Sequence, residues 1–436
     1  MLRARPEGGG PAAYARVLWN DGLDLAWLED AETGVALVGT GPRVRAADWE
    51  AAMASLPAGA AASEPGLGWV GWIDFPWMLG ALGLDAAGSD PRFLRVRGAL
   101  RFGGGAARWI QEPDDAPEPS ERALALARLA ATVPGAAADG GRGHAASGSG
   151  TGTGTVASGV PGAGRFRHDA AGYLAAVEAA KAAIAEGEAY VVCLTTAVDA
   201  PGRWDGLETF LALRAAAPTR HLALIRIGDT CLVAASPERF LHLDADGIAA
   251  TAPIKGTRPR DAEPGRDAEL AAELAADPKE RAENLMVVDV ARNDLARVCV
   301  PGTVTVRRFR EVESYRTVHQ LVSEVAGRVQ PGTSVAGVLA ALAPGTSMTG
   351  APKRSASSIA LGLERGGRGV YSGAYGWIGA GGCAELSMSI RCAVIGPDTA
   401  MIGVGGGITA DSDPAAEWAE ARLKARATLA ALRGPR

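Results

Sequence analysis

The stretch Leu222-Ala-Leu-Ile-Arg-Ile-Gly-Asp-Thr-Cys-Leu-Val-Ala-Ala235 decides the fold class. Two apolar runs, Leu222 to Ile227 and Thr230 to Ala235, stand at hairpin spacing, with only Gly228 and Asp229 between them. A parallel pair would need a crossover of a dozen residues or more. Upstream, Ala170 to Glu186 reads as an Ala-rich amphipathic helix ended by Gly187, and Tyr190-Val-Val-Cys-Leu-Thr195 as the strand after it. Downstream, Pro278 to Val298 reads as a helix with Asp277 as its N-cap and Pro278 at its first position. Pro414 to Leu432 is a second, capped by Asp413. Strands paired as hairpins, with helices set between groups of them, indicate an α+β fold.

Residues 134 to 164 are nearly all Gly, Ala, Ser and Thr and have almost nothing to bury, so a flexible linker is expected there. It divides an N-terminal β-rich region, 1–133, from a larger region, 165–436. In the first, Ala15 to Trp19, Gly34 to Gly39 and Gly68 to Ile73 read as short strands, and residues 119–132 as a helix.

Composition narrows the function. A chain of 436 residues, 47% hydrophobic and 21% charged, is that of a soluble globular protein. The net charge of −5, without a basic run, argues against nucleic acid as a partner. The N-terminus has no apolar signal core and no window reaches the length of a membrane span, so a cytoplasmic location is expected. Five cysteines without close pairing argue against a disulfide framework or a structural zinc site.

Two glycine-rich segments fail as nucleotide motifs. Gly345 to Gly350 has P-loop spacing, but the lysine arrives late, at 353, behind Pro352. Gly403 to Ile408 has Ile408 at the third glycine position of a dinucleotide fingerprint, and its helix begins only at Pro414. What remains is a glycine-lined backbone able to approach an anion closely. Glu280 and Glu283 lie one turn apart on one helix, and Glu417 and Glu420 repeat that spacing on another. One carboxylate from each of two facing helices could share a magnesium ion with an anionic substrate, although Glu420 with Lys424 is also an ordinary surface ion pair. Arg391 lies in the apolar run Leu386 to Ile395, which reads as a strand, and an arginine there calls for a buried anionic partner, side chain or ligand. Only five of the 44 basic residues are lysines, and Lys255 stands in Pro253-Ile-Lys-Gly-Thr257. Arginine cannot lose its proton, so a lysine retained in such a chain is a candidate nucleophile.

In this order these segments resemble the chorismate-utilising enzymes, from about Phe166 to Leu432. The resemblance rests on Ser236-Pro-Glu-Arg-Phe240, Pro253 to Thr257, Glu283-Asn-Leu-Met-Val-Val-Asp289 with Arg292-Asn-Asp294, and Pro344 to Lys353. It continues through Tyr371-Ser-Gly-Ala-Tyr-Gly376, Ile390-Arg391, Gly405-Gly-Gly-Ile408 with Ala410-Asp-Ser-Asp413, and Glu417 to Lys424. It implies a chorismate-binding fold of two packed, mainly antiparallel β-sheets flanked by helices. It also implies Mg²⁺ held by Glu283 and Glu420 against the ring carboxylate of chorismate. Tyr371, Arg391 and the backbone at Gly405 would clamp the enolpyruvyl carboxylate, with Lys424 nearby and Thr257 also among the substrate contacts. Glu238 is implied as the general acid/base, and His319 as the active-site histidine.

Within that family, anthranilate synthases typically carry alanine where this chain has Lys255, and the aminodeoxychorismate synthase branch often carries lysine. In that branch the amine attacks the second ring carbon and expels the hydroxyl at the fourth, after which ammonia enters at the fourth carbon. Isochorismate and salicylate synthases carry a water-activating lysine near the position of Val191. The resemblance therefore favours amination of chorismate to 4-amino-4-deoxychorismate for 4-aminobenzoate and folate. No Gly-x-Cys-x-Gly elbow is present, so a separate glutaminase subunit is expected to supply the ammonia. Anthranilate formation and a non-catalytic subunit of the same fold are the alternatives.

Overall fold

The computed structural model describes residues 10–61, 65–84, 88–104, 106–111 and 164–434. The expected helix at 119–132 and all of the expected linker except Gly164 lie outside them.

The described residues form two antiparallel sheets, of eleven and ten strands, with ten α-helices. The opening hairpin is the centre of the larger sheet. His221–Ile227 pairs with Thr230–Ser236 in a register running from Leu222 opposite Ala235 to Ile227 opposite Thr230. Its side chains alternate between two cores: Ala223, Ile225, Leu232 and Ala234 enter one, and Leu222, Leu224, Cys231 and Val233 the other. Both faces are buried, which is why these strands read as apolar runs interrupted only by the half-buried Arg226 and Thr230 near the turn. The first core also takes Trp72, Phe240, Leu241 and Leu386 from the smaller sheet and so fills the space between the sheets. The second packs the larger sheet against helices that include Ala170–Ala185 and Pro414–Ala431.

Both sheets include N-terminal strands. Leu25–Asp30 pairs with His221–Ile227 in the larger sheet, and Gly68–Ile73 pairs with Ala374–Ile378 in the smaller. One expected strand is corrected: Ala15 to Trp19 belongs to the helix Pro11–Asn20. Pro11 at its start suits helix entry, and Tyr14, Ala15 and Leu18 lie on one face at helical spacing, where they are buried.

The chain crosses between the sheets at two places that matter for function. Ser236-Pro237-Glu238 joins Thr230–Ser236 of the larger sheet to Arg239–Leu243 of the smaller. Ser389-Ile390-Arg391 returns the chain from Ala384–Met388 to Cys392–Ile395. The crossings are stitched together: Ala235 N donates to Arg391 O at 3.1 Å, and Met388 N to Glu238 O at 3.0 Å.

Two helices flank this seam. Asp277 caps Pro278–Ala296 by accepting from Lys279 N and Glu280 N at 2.9 and 3.1 Å. Asp413 caps Pro414–Ala431 by accepting from Ala416 N at 2.7 Å. Each cap satisfies otherwise orphaned N–H groups, an effect of about 1 kcal/mol. Among the described residues no helix is long and apolar enough to cross a membrane.

Candidate active site

Lys255 sits on the strand Ile254–Pro259 in the smaller sheet. Its ammonium lies 3.7 Å from Glu283 Oε2, on the helix Pro278–Ala296 that packs against the same sheet. The opposite wall is the glycine run of Thr399–Ile408. A methyl group placed on Gly407 would stand 3.5 Å from Lys255 Nζ and 3.4 Å from Val191 Cγ2, so backbone and valine line the space beside the amine. A methyl on Gly405 would meet Leu194 O at 2.3 Å, and one on Gly406 would meet Glu417 Oε2 at 2.9 Å. Glycine is required at Gly405 because the neighbouring strand's backbone occupies the place of a side chain.

Four carboxylates converge from the two helices. Glu283 lies between Lys255 and Lys279, each ammonium 3.7 Å away. Glu420 pairs with Lys424 at 2.6 Å, and Lys424 also donates to Gly405 O at 2.8 Å. Buried Glu417 accepts from Ser412 Oγ at 2.8 Å, and Glu280 faces Arg258 at 3.5 Å. Against the effect of burial, the Lys279 ammonium is drawn by all four glutamates, Glu283 most strongly, and this attraction raises its pKa. Burial raises the pKa of Glu280 and of Glu417, each helped by its neighbouring glutamate. Partial burial pushes Glu420 the same way, but the Lys424 ammonium more than reverses it and holds Glu420 below the usual carboxylate range.

No group of three or more His, Cys, Asp or Glu side chains forms a metal cage among the described residues. A magnesium ion does not need one, because it takes one or two carboxylates and completes its shell with water and substrate oxygens. Glu283 and Glu420, oxygen donors from facing helices that already attract three ammonium groups, suit that chemistry.

Glu238, at the first crossing, is buried, and desolvation drives its pKa up to about 7, against the pull of the nearby Ser347 hydroxyl and Lys255 ammonium. A carboxyl held near neutrality is poised to give and take protons. Arg391, at the second crossing, departs from the sequence reading. It occupies a turn with φ of 51°, not a strand, because the chain changes sheets there. Among the described residues its guanidinium has no ion pair. Solvent reaches it, yet surrounding protein depletes its hydration and lowers its pKa, against the opposing influence of Tyr371 and Glu420. An unpaired guanidinium in such a recess is suited to a carboxylate. Tyr371 is buried directly over Gly403, where an added methyl would fall 2.1 Å from the ring.

Two expected residues share none of the contacts described above. Thr257 is exposed, with Arg258 donating to its carbonyl at 3.0 Å. His319 is buried, but its ring nitrogens lie against Ser314 Oγ at 2.8 Å and Asp267 Oδ1 at 2.9 Å.

Sequence reasoning missed the brace behind Tyr371. Buried Arg368 pairs with Glu364 at 2.7 Å and donates to Met348 O, Cys193 O and Ser372 Oγ. Glu364 in turn accepts from both the N–H and the hydroxyl of Thr195 at 2.9 Å. The only signal was two charges at i,i+4, and the helix ends at Leu363, so the pair is not a surface helical one. Lys353 likewise holds no phosphate: it is buried against Asp294 at 2.6 Å and donates to Leu342 O and Pro344 O.

Residues 43–430 match the chorismate binding enzyme family. An aminodeoxychorismate synthase of Streptomyces pristinaespiralis is 48% identical over 268 residues, 62% of this chain and 37% of that protein. An anthranilate synthase component 1 of Streptomyces coelicolor is 39% identical over 258 residues, 59% of this chain and 50% of that one. The chain thus spans between about a third and a half of the length of these curated relatives. Anthranilate synthase component I of Streptococcus pneumoniae superposes with a TM-score of 0.72 over 93% of this chain and 90% of that one, at 24% identity, which establishes the shared fold. The match over most of the chain, on a fold built as that family's sheets are built, makes this protein a member of the chorismate binding enzymes.

Proposed function

We propose that the protein aminates chorismate to 4-amino-4-deoxychorismate through a covalent adduct on Lys255. The observation that carries this reading is the position of the Lys255 amine, between Glu283, the glycine wall at Gly407 and the influence of Glu238. In its neutral form Lys255 bonds through Nζ to the second ring carbon, becoming a secondary ammonium, while the hydroxyl at the fourth leaves as water with the proton of Glu238. Ammonia then bonds to the fourth carbon as the lysine–carbon bond breaks, which returns the neutral lysine amine, and the new ammonium group gives its extra proton back to Glu238. Two displacements replace one difficult substitution.

Glu283 and Glu420 would hold Mg²⁺, which when bound supplies positive charge to the ring carboxylate. Arg391 and Tyr371, with the backbone at Gly405 and Lys424 beside it, receive the enolpyruvyl carboxylate. Thr257 is assigned to the same substrate surface and His319 to proton transfer. A separate glutaminase subunit delivers the ammonia, and the product serves 4-aminobenzoate and folate synthesis.

The adduct is tested by mass spectrometry of the protein incubated with chorismate and Mg²⁺ but no ammonia. The peptide containing Lys255 should gain the mass of chorismate less water, and the gain should vanish in Lys255→Ala. Wild-type turnover by Lys255→Arg would exclude the covalent role.

A further inference from the structure

We infer that Asp267 is a positioning residue that fixes the tautomer of His319, leaving Nδ1 as its working nitrogen and the Ser314 hydroxyl as its outlet. This rests on the reading of His319 given above.

His319 belongs to a closed ring of hydrogen bonds. Its Nε2 lies 2.9 Å from Asp267 Oδ1 and its Nδ1 2.8 Å from Ser314 Oγ. Asp267 is gripped by Arg260, whose Nε and Nη2 donate to its two oxygens at 2.8 Å, and Asp261 N donates to the same carboxylate at 2.9 Å. Arg260 Nη1 also donates to Tyr315 O at 2.6 Å, beside Ser314, which closes the ring. The parts come from three elements: the end of the strand Ile254–Pro259, the helix Pro264–Ala276 and the hairpin of Thr305–Ser314 with Val318–Arg328.

The proton assignment follows from donor and acceptor capacity. Arg260 and the backbone donor hold Asp267 far below the usual carboxylate range, so it is ionised and can only accept. Nε2 must then carry the hydrogen. In the neutral ring Nδ1 is an acceptor, and Ser314 fills it with its hydroxyl hydrogen. Ser314 is exposed while the imidazole is buried, so the serine lies between the ring and solvent. A proton arriving there passes to Ser314 as the serine's own hydrogen moves to Nδ1, and the imidazolium formed rests against Asp267. A carboxylate that orients a histidine in this way sets both the ring's direction and its tautomer.

The test uses the full chain with ¹⁵N-labelled histidine at alkaline pH. Long-range proton–nitrogen correlations are read for His319, identified by its absence from His319→Gln. The wild type should show Nε2–H with a bare Nδ1. Asp267→Asn, close in shape, should shift the ring toward Nδ1–H and lower kcat by at least about tenfold with KM for chorismate nearly unchanged. Asp267→Glu should restore the wild-type tautomer. A wild-type ring protonated at Nδ1, or an Asp267→Asn protein with wild-type tautomer and kcat, would overturn the inference. The tautomer is read without turnover, so absence of aminated product would count against the proposed reaction alone.

Discussion

Lys255, on its strand, and Glu238, at the crossing between the sheets, lie within electrostatic reach of each other, and the proposed chemistry divides between them. Arginine at 255 would keep the charge beside Glu283 but cannot act as an amine nucleophile, so Lys255→Arg should lower kcat by about two orders of magnitude or more. Steady-state rates checked against thermal melting separate that loss from misfolding. For Glu238 the sign follows from burial. The native state keeps a proton that the unfolded chain releases, so this group's contribution to stability is complete below its ordinary value of 4.5 and is lost as pH rises toward about 7. As a general acid it works protonated, so kcat/KM should decline as pH rises through about 7, and Glu238→Gln should abolish that limb while lowering kcat about a hundredfold or more. A limb unchanged in the glutamine variant would assign it to another group. Residue identity was legible in the sequence where scarcity or context marked it, as with Lys255 and with Arg391 amid apolar residues. The Asp267 grip on His319 was not legible, because it joins residues 52 positions apart that carry no local signal.

At the scale of elements, the glycine run of Thr399–Ile408 lets a strand serve as a wall. Gly405 and Gly406 differ in what a side chain would meet. Gly405→Ala drives its methyl against the backbone of Leu194, so a loss of about 1–3 kcal/mol is expected as a lowered melting temperature. Gly406→Ala meets only the tip of Glu417, a side chain that can move. It should keep the melting temperature and instead weaken Mg²⁺-dependent chorismate binding in calorimetry. Equal effects of the two on stability would contradict this division. In the same measurement Glu283→Ala should remove the Mg²⁺ dependence of chorismate binding altogether. The flanking helices could be placed from sequence because Asp277 with Pro278 and Asp413 with Pro414 announce their starts. The helix Pro11–Asn20 was misread as a strand because a five-residue apolar run does not distinguish the two periods.

At the scale of the whole molecule, the site exists because two sheets exchange strands. Glu238 and Arg391 mark the crossings, Lys255 and the glycine wall face each other across the seam, and one helix from each side contributes a carboxylate. Hairpin spacing in the sequence revealed antiparallel sheets but not this exchange, since the pairing of Gly68–Ile73 with Ala374–Ile378 is set by tertiary contact across some 300 residues. The arrangement bears a direct prediction about the reaction. Purified protein given chorismate, Mg²⁺ and ammonium, without any glutaminase, should release 4-amino-4-deoxychorismate, identified by chromatography and mass spectrometry. Fluorescent anthranilate as the main product would contradict amination at the fourth carbon and the role assigned to Lys255.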